Sequence, residues 1–271
     1  MGVTFASPAD LFAAVAPLGE APERAAVLFD LDGTLAPIVD RPDRSSVPLR
    51  TLELVERIAG RYGLCGVVSG RQALEARRIL GLEDLVYVGN HGFELLAVGA
   101  EEPEPSPALA GREQQAADFL AGLDPARLGE AGLRTEDKAA IVALHWRGAA
   151  DPDRAEAVAA EIETEAAGAG LGIHRGRMVL ELRPDVEIDK GLGIRALLEA
   201  GPAMEAAFYA GDDRTDVDGF RALGELASEG AIERAVTVAV ISDETPAEVS
   251  EEADLAVNGP DGFVAVLEAL A

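Results

Sequence analysis

Five short apolar runs, each ending in polar or turn residues, constrain the fold of this chain more than any other feature. The runs cover residues 25–30, 64–70, 85–90, 206–213 and 236–241. Continuous apolar runs of this length are typical of strands that are covered on both faces, as in a parallel sheet. Helical patterns lie between them, so the order predicts an open, doubly wound (Rossmann-like) parallel α/β sheet.

Polar clusters stand at the ends of four of these runs: DLDG at 30–33, SGR at 69–71, GNHG at 89–92 and GDD at 211–213. In an open α/β sheet the ligand site lies outside the carboxyl ends of the strands. The topology alone therefore predicts that the four clusters converge on one site.

The middle of the chain has a different character. A Pro- and Glu-rich stretch at 101–109 is typical of a linker, and a predicted helix follows around 110–122. An extended run is predicted at 138–147, and Asp151 followed by Pro152 is a typical helix start. Two short runs complete an α+β domain that is inserted into the sheet domain. The predicted domains are residues 1–104 with 187–271 for the sheet domain and residues 105–186 for the inserted domain.

The net charge of −26 excludes two classes of partner. Such an acidic chain repels nucleic acid and anionic membranes, so neither is expected to bind. No apolar run approaches the length of a membrane span, about 18 residues, and the first residues lack a secretory pattern. We therefore expect a cytoplasmic protein, in which any anionic substrate needs a locally positive pocket.

The DLDGTL stretch places two carboxylates, Asp30 and Asp32, at the end of the first run. One interpretation is a simple turn, because Asp32 and Gly33 favour turns. A turn does not need Asp30, however, and a divalent cation such as Mg²⁺ would offset the repulsion between the carboxylates. Asp30 could then attack phosphorus as a nucleophile, while Asp32 acts as general acid and base.

The GDDRTDVDGF stretch at 211–220 is the second acidic cluster. A solvated loop is the plain alternative, since the whole chain is acidic. Its position after an apolar run favours metal binding by Asp212 beside the end of the first strand. Asp213 and Asp216 are predicted to support that site through the ligands rather than to bind the metal directly.

Four further residues are candidates for binding an anion. Ser69 and the Gly70 amide could hold phosphate oxygens, and Arg71 could pair with a negative charge, although a strand followed by Ser-Gly is also an ordinary turn. Lys190 is one of only two lysines in the chain, the other being Lys138. A Lys at a helix N-terminus is electrostatically disfavoured, which points to an ammonium beside phosphate.

The histidines leave alternatives open. His91 either shapes its turn or contacts a substrate. His145 and Trp146 point to opposite sides of a predicted strand, so one is expected to be packed and the other to face a cleft or solvent.

In this order, DLDGTL, SGR, Lys190 and GDDRTD resemble the motifs of the haloacid dehalogenase superfamily of phosphatases. The stretches DGTLAPI, GNHGFE, EDKAAIVALHWR and RMVLELRP with the following DKG are similar to the trehalose-6-phosphate phosphatase family. This resemblance implies that the inserted domain is a cap that closes over a sugar.

The resemblance also implies roles for individual residues. The implied catalytic residues are Asp30 as nucleophile, Asp32 as general acid and base, and Ser69 and Lys190 as ligands of the phosphoryl group. The implied Mg²⁺ ligands are the Asp30 carboxylate, the Asp32 backbone carbonyl and Asp212. The implied substrate contacts are Arg71, Asn90, Glu136, Lys138 and Glu181, to which Gly70 and His91 are added as candidates.

The activity implied is Mg²⁺-dependent hydrolysis of trehalose 6-phosphate to trehalose and phosphate through an aspartyl-phosphate, in trehalose biosynthesis. We expect a monomer that works together with a trehalose-6-phosphate synthase. The alternatives are another sugar phosphate, such as sucrose phosphate or mannosylglycerate phosphate, and a non-catalytic sugar-phosphate sensor. A sensor would not need a nucleophile, so the intact acidic and Lys190 set argues against it.

Overall fold

The computed structural model of the chain describes residues 4–39, 41, 44–176, 178–243 and 245–271. The chain divides into two units, which we call the core unit (Met1–Glu104 with Ile188–Ala271) and the inserted unit (Pro105–Glu187). The roles of phosphatase core and cap that the sequence suggests for them stay predictions.

The described part of the chain has twelve strands and ten α-helices in the two units together, and they alternate along most of the core unit. The described strands are β1 (Ala25–Phe29), β2 (Leu64–Val68), β3 (Val86–Gly89), β4 (Glu94–Leu96), β5 (Glu104–Pro105), β6 (Arg134–Lys138), β7 (Ile141–His145), β8 (Leu171–Gly176), β9 (Val179–Pro184), β10 (Ala206–Gly211), β11 (Arg234–Ile241) and β12 (Leu255–Asn258). The described α-helices are α1 (Pro8–Val15), α2 (Leu49–Ala59), α3 (Ala73–Leu80), α4 (Gln115–Ala121), α5 (Pro125–Ala131), α6 (Pro152–Gly168), α7 (Lys190–Ala200), α8 (Arg214–Ser228), α9 (Ala247–Glu252) and α10 (Gly259–Leu270).

The main sheet has β1 near its centre. Within the described residues its eight strands follow the order β12-β11-β10-β1-β2-β3-β4-β5. Strand β1 runs parallel to both neighbours, with Phe29 opposite Ala210 on β10 and Val67 on β2. Val27 and Phe29 pack on one side with α1, α2, α3 and α10, while Leu28 packs on the other with α7, α8 and α9. The doubly wound sheet is therefore confirmed, and both of its faces are buried as the apolar runs predict.

One edge of this sheet departs from the parallel prediction. Strand β4 runs antiparallel to β3, with Val88 opposite Leu95. Only residues 90–93 connect the two strands, which is too short for the crossover that parallel pairing needs. The sheet is therefore mixed. Strand β12 at the opposite edge was not among the predicted runs, because its four residues give too short a signal.

Among the described residues, the inserted unit has one four-stranded antiparallel sheet, in the order β6-β7-β9-β8. Val142 and Leu144 on β7 pack with Leu182 on β9 and Ile162 on α6 in a separate apolar core. Helix α6 begins as predicted, because the Asp151 side chain accepts a hydrogen bond from the Arg154 amide at 3.0 Å.

Two local predictions in the inserted unit were right in type but wrong in extent. The helix expected around 110–122 starts only at Gln115, because Ala110 and Gly111 have φ angles of +39° and +83° and interrupt any helix. The extended run expected at 138–147 is split by a turn with Ala139 at φ +64°, so the segment forms the β6-β7 hairpin. Among the described residues, no helix is long and apolar enough to cross a membrane.

Candidate active site

The ends of β1 and β10 bring two carboxylates together in the core unit. Asp30 follows β1, Asp212 follows β10, and the Asp30 amide donates to the Ala210 carbonyl at 2.8 Å. Both carboxylates are buried, and with Asp216 they offer oxygens that all lie within 4.8 Å of one another. Parallel pairing of neighbouring strands thus creates the acidic cluster that the sequence predicts at this edge.

Lys190 is the first residue of α7 and bridges two of these carboxylates. Its Nζ donates to Asp30 Oδ1 at 2.7 Å and to Asp216 Oδ1 at 2.6 Å. Burial by itself lowers the pKa of Lys190, but the charges of Asp216 and Asp30 outweigh burial and raise it above the usual value. The ammonium therefore stays charged, while the phosphate that the sequence suggests beside it stays a prediction.

Asp216 holds the cluster together from the first turn of α8. Its Oδ1 accepts a hydrogen bond from the Tyr209 hydroxyl, and its Oδ2 accepts from the amides of Asp212 and Asp213 at 3.0 Å each. Burial raises the pKa of Tyr209 well above its usual range, so the phenol remains a neutral donor. Asp213 itself is exposed and caps α8, with its side chain accepting from the Arg214 amide at 2.6 Å.

The acidic cluster fits a divalent cation. Asp30 Oδ2 and Asp212 Oδ1 are buried and accept no hydrogen bond from any residue that the structure describes. Burial raises the pKa of Asp30 well above its usual range, and burial together with Asp216 raises the pKa of Asp212 to about 7. These shifts mean that Lys190 alone does not compensate the buried negative charge, and a hard cation with oxygen ligands would do so.

A glycine allows the two strand ends to approach. Gly33 has a φ of +92°, and a Cβ atom at this position would lie 2.0 Å from Asp212 Oδ2. Any side chain here would displace the Asp212 carboxylate. The glycine of the DLDG cluster is therefore needed by the acidic site and not only by the turn.

Asp32 differs from Asp30 in its surroundings. About a third of its side chain is exposed (34%), and its carboxylate accepts hydrogen bonds from Arg71 and from Ser45 Oγ, the latter at 2.8 Å. A partly exposed carboxylate can exchange protons with a substrate or with water, whereas Asp30 is shielded. The two acidic residues of the motif therefore have different chemical settings.

The ends of β2 and β3 form the neighbouring turn. Ser69 is buried, its amide donates to the Val88 carbonyl at 2.9 Å, and its Oγ accepts from the Arg71 amide at 3.1 Å. A Cβ atom on Gly70 would lie 2.5 Å from the imidazole of His91, so His91 packs directly on this glycine. This contact supports the interpretation in which His91 shapes the turn.

The β3 end itself is held in an unusual backbone conformation. Asn90 and His91 have φ angles of +49° and +58°, in the left-handed region that non-glycine residues seldom occupy. The buried Glu94 carboxylate accepts from the Ala73 amide at 2.6 Å and from the Asn90 side chain. Such conformations persist when the surroundings impose them, and they cluster at functional sites.

The remaining predicted residues lie on the sheet of the inserted unit. Glu136 and Glu181 both stand opposite Ala143, so the three residues form one row across β6, β7 and β9. Lys138 Nζ lies 2.9 Å from Glu181 Oε1, and Glu136 Oε2 lies 2.8 Å from His145 Nε2. Trp146 is buried while His145 is partly exposed, as their alternation predicts.

Four residues around these sites were not predicted from the sequence: Ser45, Glu75, Glu94 and Tyr209. Tyr209 carried a weak signal, as the only hydroxyl in the apolar run of β10, and Glu94 was a lone acid behind GNHG. Ser45 and Glu75 carried none, because their importance comes only from contact with Asp32 and Arg71.

Sequence comparison shows to which family this chain belongs. The profile of the family described as trehalose-phosphatase matches residues 28–258, most of the 271-residue chain. The chain belongs to the trehalose-phosphatase family. A trehalose-phosphate phosphatase of Mycobacterium marinum is 35% identical over 241 residues, which cover 84% of this chain and 60% of that protein. The chain thus matches only about three fifths of the length of this relative.

Solved structures give the same assignment for the fold. The crystal structure of a trehalose-6-phosphate phosphatase related protein is 26% identical with a TM-score of 0.67, covering 90% of this chain and 96% of the other. The C-terminal domain of the C. albicans trehalose-6-phosphate phosphatase has a TM-score of 0.71 at 21% identity, covering 99% and 98%. The resemblance stated from the motifs is confirmed at the level of the trehalose-phosphatase family.

Proposed function

We propose that this chain is a Mg²⁺-dependent phosphatase that hydrolyses trehalose 6-phosphate to trehalose and phosphate. The observation that carries the proposal is the pair of buried, unpartnered oxygens, Asp30 Oδ2 and Asp212 Oδ1, in the described part of a cluster that also holds Lys190. An unpartnered buried carboxylate oxygen costs free energy unless a ligand uses it. A divalent cation has the charge that such an acidic cluster needs, and with the cation bound the cluster and Lys190 could accept an anionic phosphate.

In this proposal Asp30 is the nucleophile. One of its carboxylate oxygens forms a bond to phosphorus as the bond from phosphorus to the sugar oxygen breaks, which gives an aspartyl-phosphate. Asp32 donates its proton to the leaving sugar oxygen, so that trehalose departs as a neutral alcohol. Asp32 then takes a proton from water, which attacks phosphorus and releases phosphate and the Asp30 carboxylate.

The other core residues bind and orient. Lys190 neutralises charge that develops on the phosphoryl oxygens, and Ser69 with the Gly70 amide donates hydrogen bonds to them. Asp216 and Tyr209 fix the position of Lys190 through the contacts described above. The cation would be held by the Asp30 and Asp212 carboxylates and the Asp32 backbone carbonyl. When bound, it supplies positive charge that orients the phosphoryl group.

The inserted unit would supply substrate recognition. Glu136, Lys138 and Glu181 carry the charged donors and acceptors that hydrogen-bond well to sugar hydroxyls. A site built around such bonds discriminates against phosphate esters that lack the hydroxyls. The proposal also includes a cytoplasmic location, a monomeric state and cooperation with a trehalose-6-phosphate synthase in trehalose biosynthesis.

The experiment is phosphate release from a panel of sugar phosphates, with added Mg²⁺ and after exhaustive chelation. We expect trehalose 6-phosphate to give the highest kcat/KM, and we expect chelation to abolish turnover and Mg²⁺ to restore it. A higher kcat/KM for sucrose phosphate or mannosylglycerate phosphate would show that this compound, and not trehalose 6-phosphate, is the preferred substrate. Binding of sugar phosphates without turnover would favour a sensor. Full activity after chelation would show that the enzyme does not need a metal.

A further inference from the structure

The Asp32 carboxylate is held at both of its oxygens by one guanidinium. Arg71 Nε donates to Asp32 Oδ2 at 2.5 Å, and Arg71 Nη2 donates to Asp32 Oδ1 at 3.0 Å. A two-point contact between a planar guanidinium and a carboxylate fixes orientation as well as distance. Ser45 Oγ adds a third hydrogen bond, to Oδ1 at 2.8 Å. The Asp32 carboxylate cannot turn without breaking several of these contacts.

Arg71 is itself held from two directions. Its Nη1 donates to Glu75 Oε1 at 2.5 Å, one helical turn further along the chain. Its amide donates to Ser69 Oγ at 3.1 Å, and its carbonyl accepts from the Asn90 amide at 2.7 Å. Only 12% of the Arg71 side chain is exposed. The guanidinium therefore has a fixed position relative to the turn that carries Ser69.

We propose that Arg71 is a positioning residue that acts through Asp32 rather than by contacting the sugar. The inference rests on the proposed function, because it concerns the proton that Asp32 donates to the leaving oxygen. A general acid must come within about 2.6–3.2 Å of the atom that it protonates. A carboxylate that is 34% exposed would otherwise populate several rotamers. The two-point contact with Arg71 selects one of these rotamers.

This role predicts a dependence on the leaving group that other roles do not. The bond from phosphorus to the leaving oxygen breaks as Asp32 transfers its proton to that oxygen. A weakly basic leaving group such as p-nitrophenolate departs with little protonation, whereas a more basic oxygen needs it. Loss of Arg71 should therefore slow substrates with basic leaving groups most, whether or not they contain a sugar.

The test compares wild type with Arg71→Gln on p-nitrophenyl phosphate, phenyl phosphate, glycerol 2-phosphate and trehalose 6-phosphate, at saturating Mg²⁺. General acid catalysis contributes about 10²- to 10⁴-fold, so we expect kcat/KM for phenyl phosphate and glycerol 2-phosphate to fall about 100-fold. For p-nitrophenyl phosphate we expect a loss below about 5-fold, because its leaving group needs little protonation.

Two further variants keep the test decisive. Glu75→Gln leaves the two-point contact of Arg71 with Asp32 in place but replaces the charged acceptor of Arg71 Nη1 by a neutral one. It should therefore give the same leaving-group pattern with a smaller loss, about 3- to 10-fold on phenyl phosphate. Arg78→Gln removes an exposed guanidinium from α3, the helix that carries Glu75, and should leave kcat/KM unchanged for all four substrates. If Arg71→Gln does not fold, Glu75→Gln becomes the deciding variant. The same change in kcat/KM on all four esters, or no change on any of them, would then overturn the proposal.

The remaining outcomes are distinct. Equal losses on all four esters would show that Arg71 supports the fold or binds phosphate, and a loss confined to trehalose 6-phosphate would show that it contacts the sugar. Either result overturns the positioning role. A wild type that hydrolyses the sugar-free esters but not trehalose 6-phosphate would overturn the proposed substrate alone. A wild type that hydrolyses none of the esters would overturn both.

Discussion

Two groups of ion pairs in this chain use the same kinds of side chain in opposite settings. In the core unit, Lys190 contacts Asp30 and Asp216, and the three side chains are 3%, 5% and 0% exposed. In the inserted unit, Lys138 contacts Glu181 with 17% and 14% exposure. The pair of His145 and Glu136 in that unit is more open still.

The difference in burial determines what each group can do. Removing one partner from a buried set leaves the others unpaired, at a cost of about 3–5 kcal/mol. Such a set keeps its geometry before any substrate arrives, which suits the stabilisation of charge in a transition state. In the more open pair of His145 and Glu136, water can replace either partner, and such a pair contributes about 0–1 kcal/mol. These side chains can exchange partners for sugar hydroxyls at little cost.

The largest effect that this comparison predicts comes from Asp30→Asn. Asparagine keeps the shape of the side chain but cannot attack phosphorus, so we expect turnover to fall at least about 10³-fold. Lys190 retains its contact with Asp216, and the fold should survive. The measurement is phosphate release together with circular dichroism, with Asp261→Asn as a control that removes an exposed charge elsewhere. Release within about tenfold of wild type would exclude Asp30 as the nucleophile.

Lys190→Arg should have the next largest effect. A guanidinium is wider than an ammonium, and its fork does not fit between two carboxylates at 2.7 Å and 2.6 Å in a buried site. Loss of one positioned electrostatic contact costs about 3 kcal/mol, so kcat should fall about 100-fold while KM changes less.

The control for this variant is Arg195→Lys on the same helix. Arg195 pairs with Glu225 and Glu229 at the surface, where an exposed ion pair contributes little. A folded Lys190→Arg protein whose kcat stays within about threefold of wild type would show that burial does not make this pair irreplaceable.

The sequence predicted the centre of the fold better than its edges. Strands β1 and β10 are apolar throughout because both of their faces are buried, and this pattern is readable without a structure. Strand β12 and the β6-β7 hairpin were missed for different reasons. The first is short, and the turn of the second rests on Ala139, which has none of the usual turn chemistry.

The candidate site divides in the same way. Residues that directly follow strands, such as Asp30, Ser69 and Asp212, were predictable because the topology fixes where strand ends meet. The fork of Arg71 on Asp32 and the contact of Tyr209 with Asp216 depend on rotamers of side chains from separate elements. A sequence pattern does not encode such pairs, so Arg71 was assigned only a general role in binding an anion or substrate.

A selective effect is predicted for Glu181→Ala in the inserted unit. A hydrogen bond from a charged group contributes about 1.5–3 kcal/mol, so kcat/KM for trehalose 6-phosphate should fall about 10- to 100-fold. For p-nitrophenyl phosphate, which has no sugar hydroxyls, it should change by less than about threefold. Lys138 loses its partner in this variant, and Glu181→Gln is therefore the matched control, since it keeps a hydrogen-bond acceptor. Equal losses on both substrates would mean that Glu181 supports the fold or the chemistry.

The smallest effect is predicted for the stability of the pair formed by Glu136 and His145, which are 46% and 27% exposed. In a double-mutant cycle with Glu136→Gln and His145→Gln, the coupling free energy should stay below about 1 kcal/mol, because water screens both partners. Each single variant should lower the Tm by no more than about 2–4 °C for a chain of this size. Thermal unfolding followed by circular dichroism measures both quantities. A coupling above about 2 kcal/mol would place this pair with the buried set, because only desolvated partners interact that strongly. The exchange of partners proposed for the inserted unit would then require a different source of free energy.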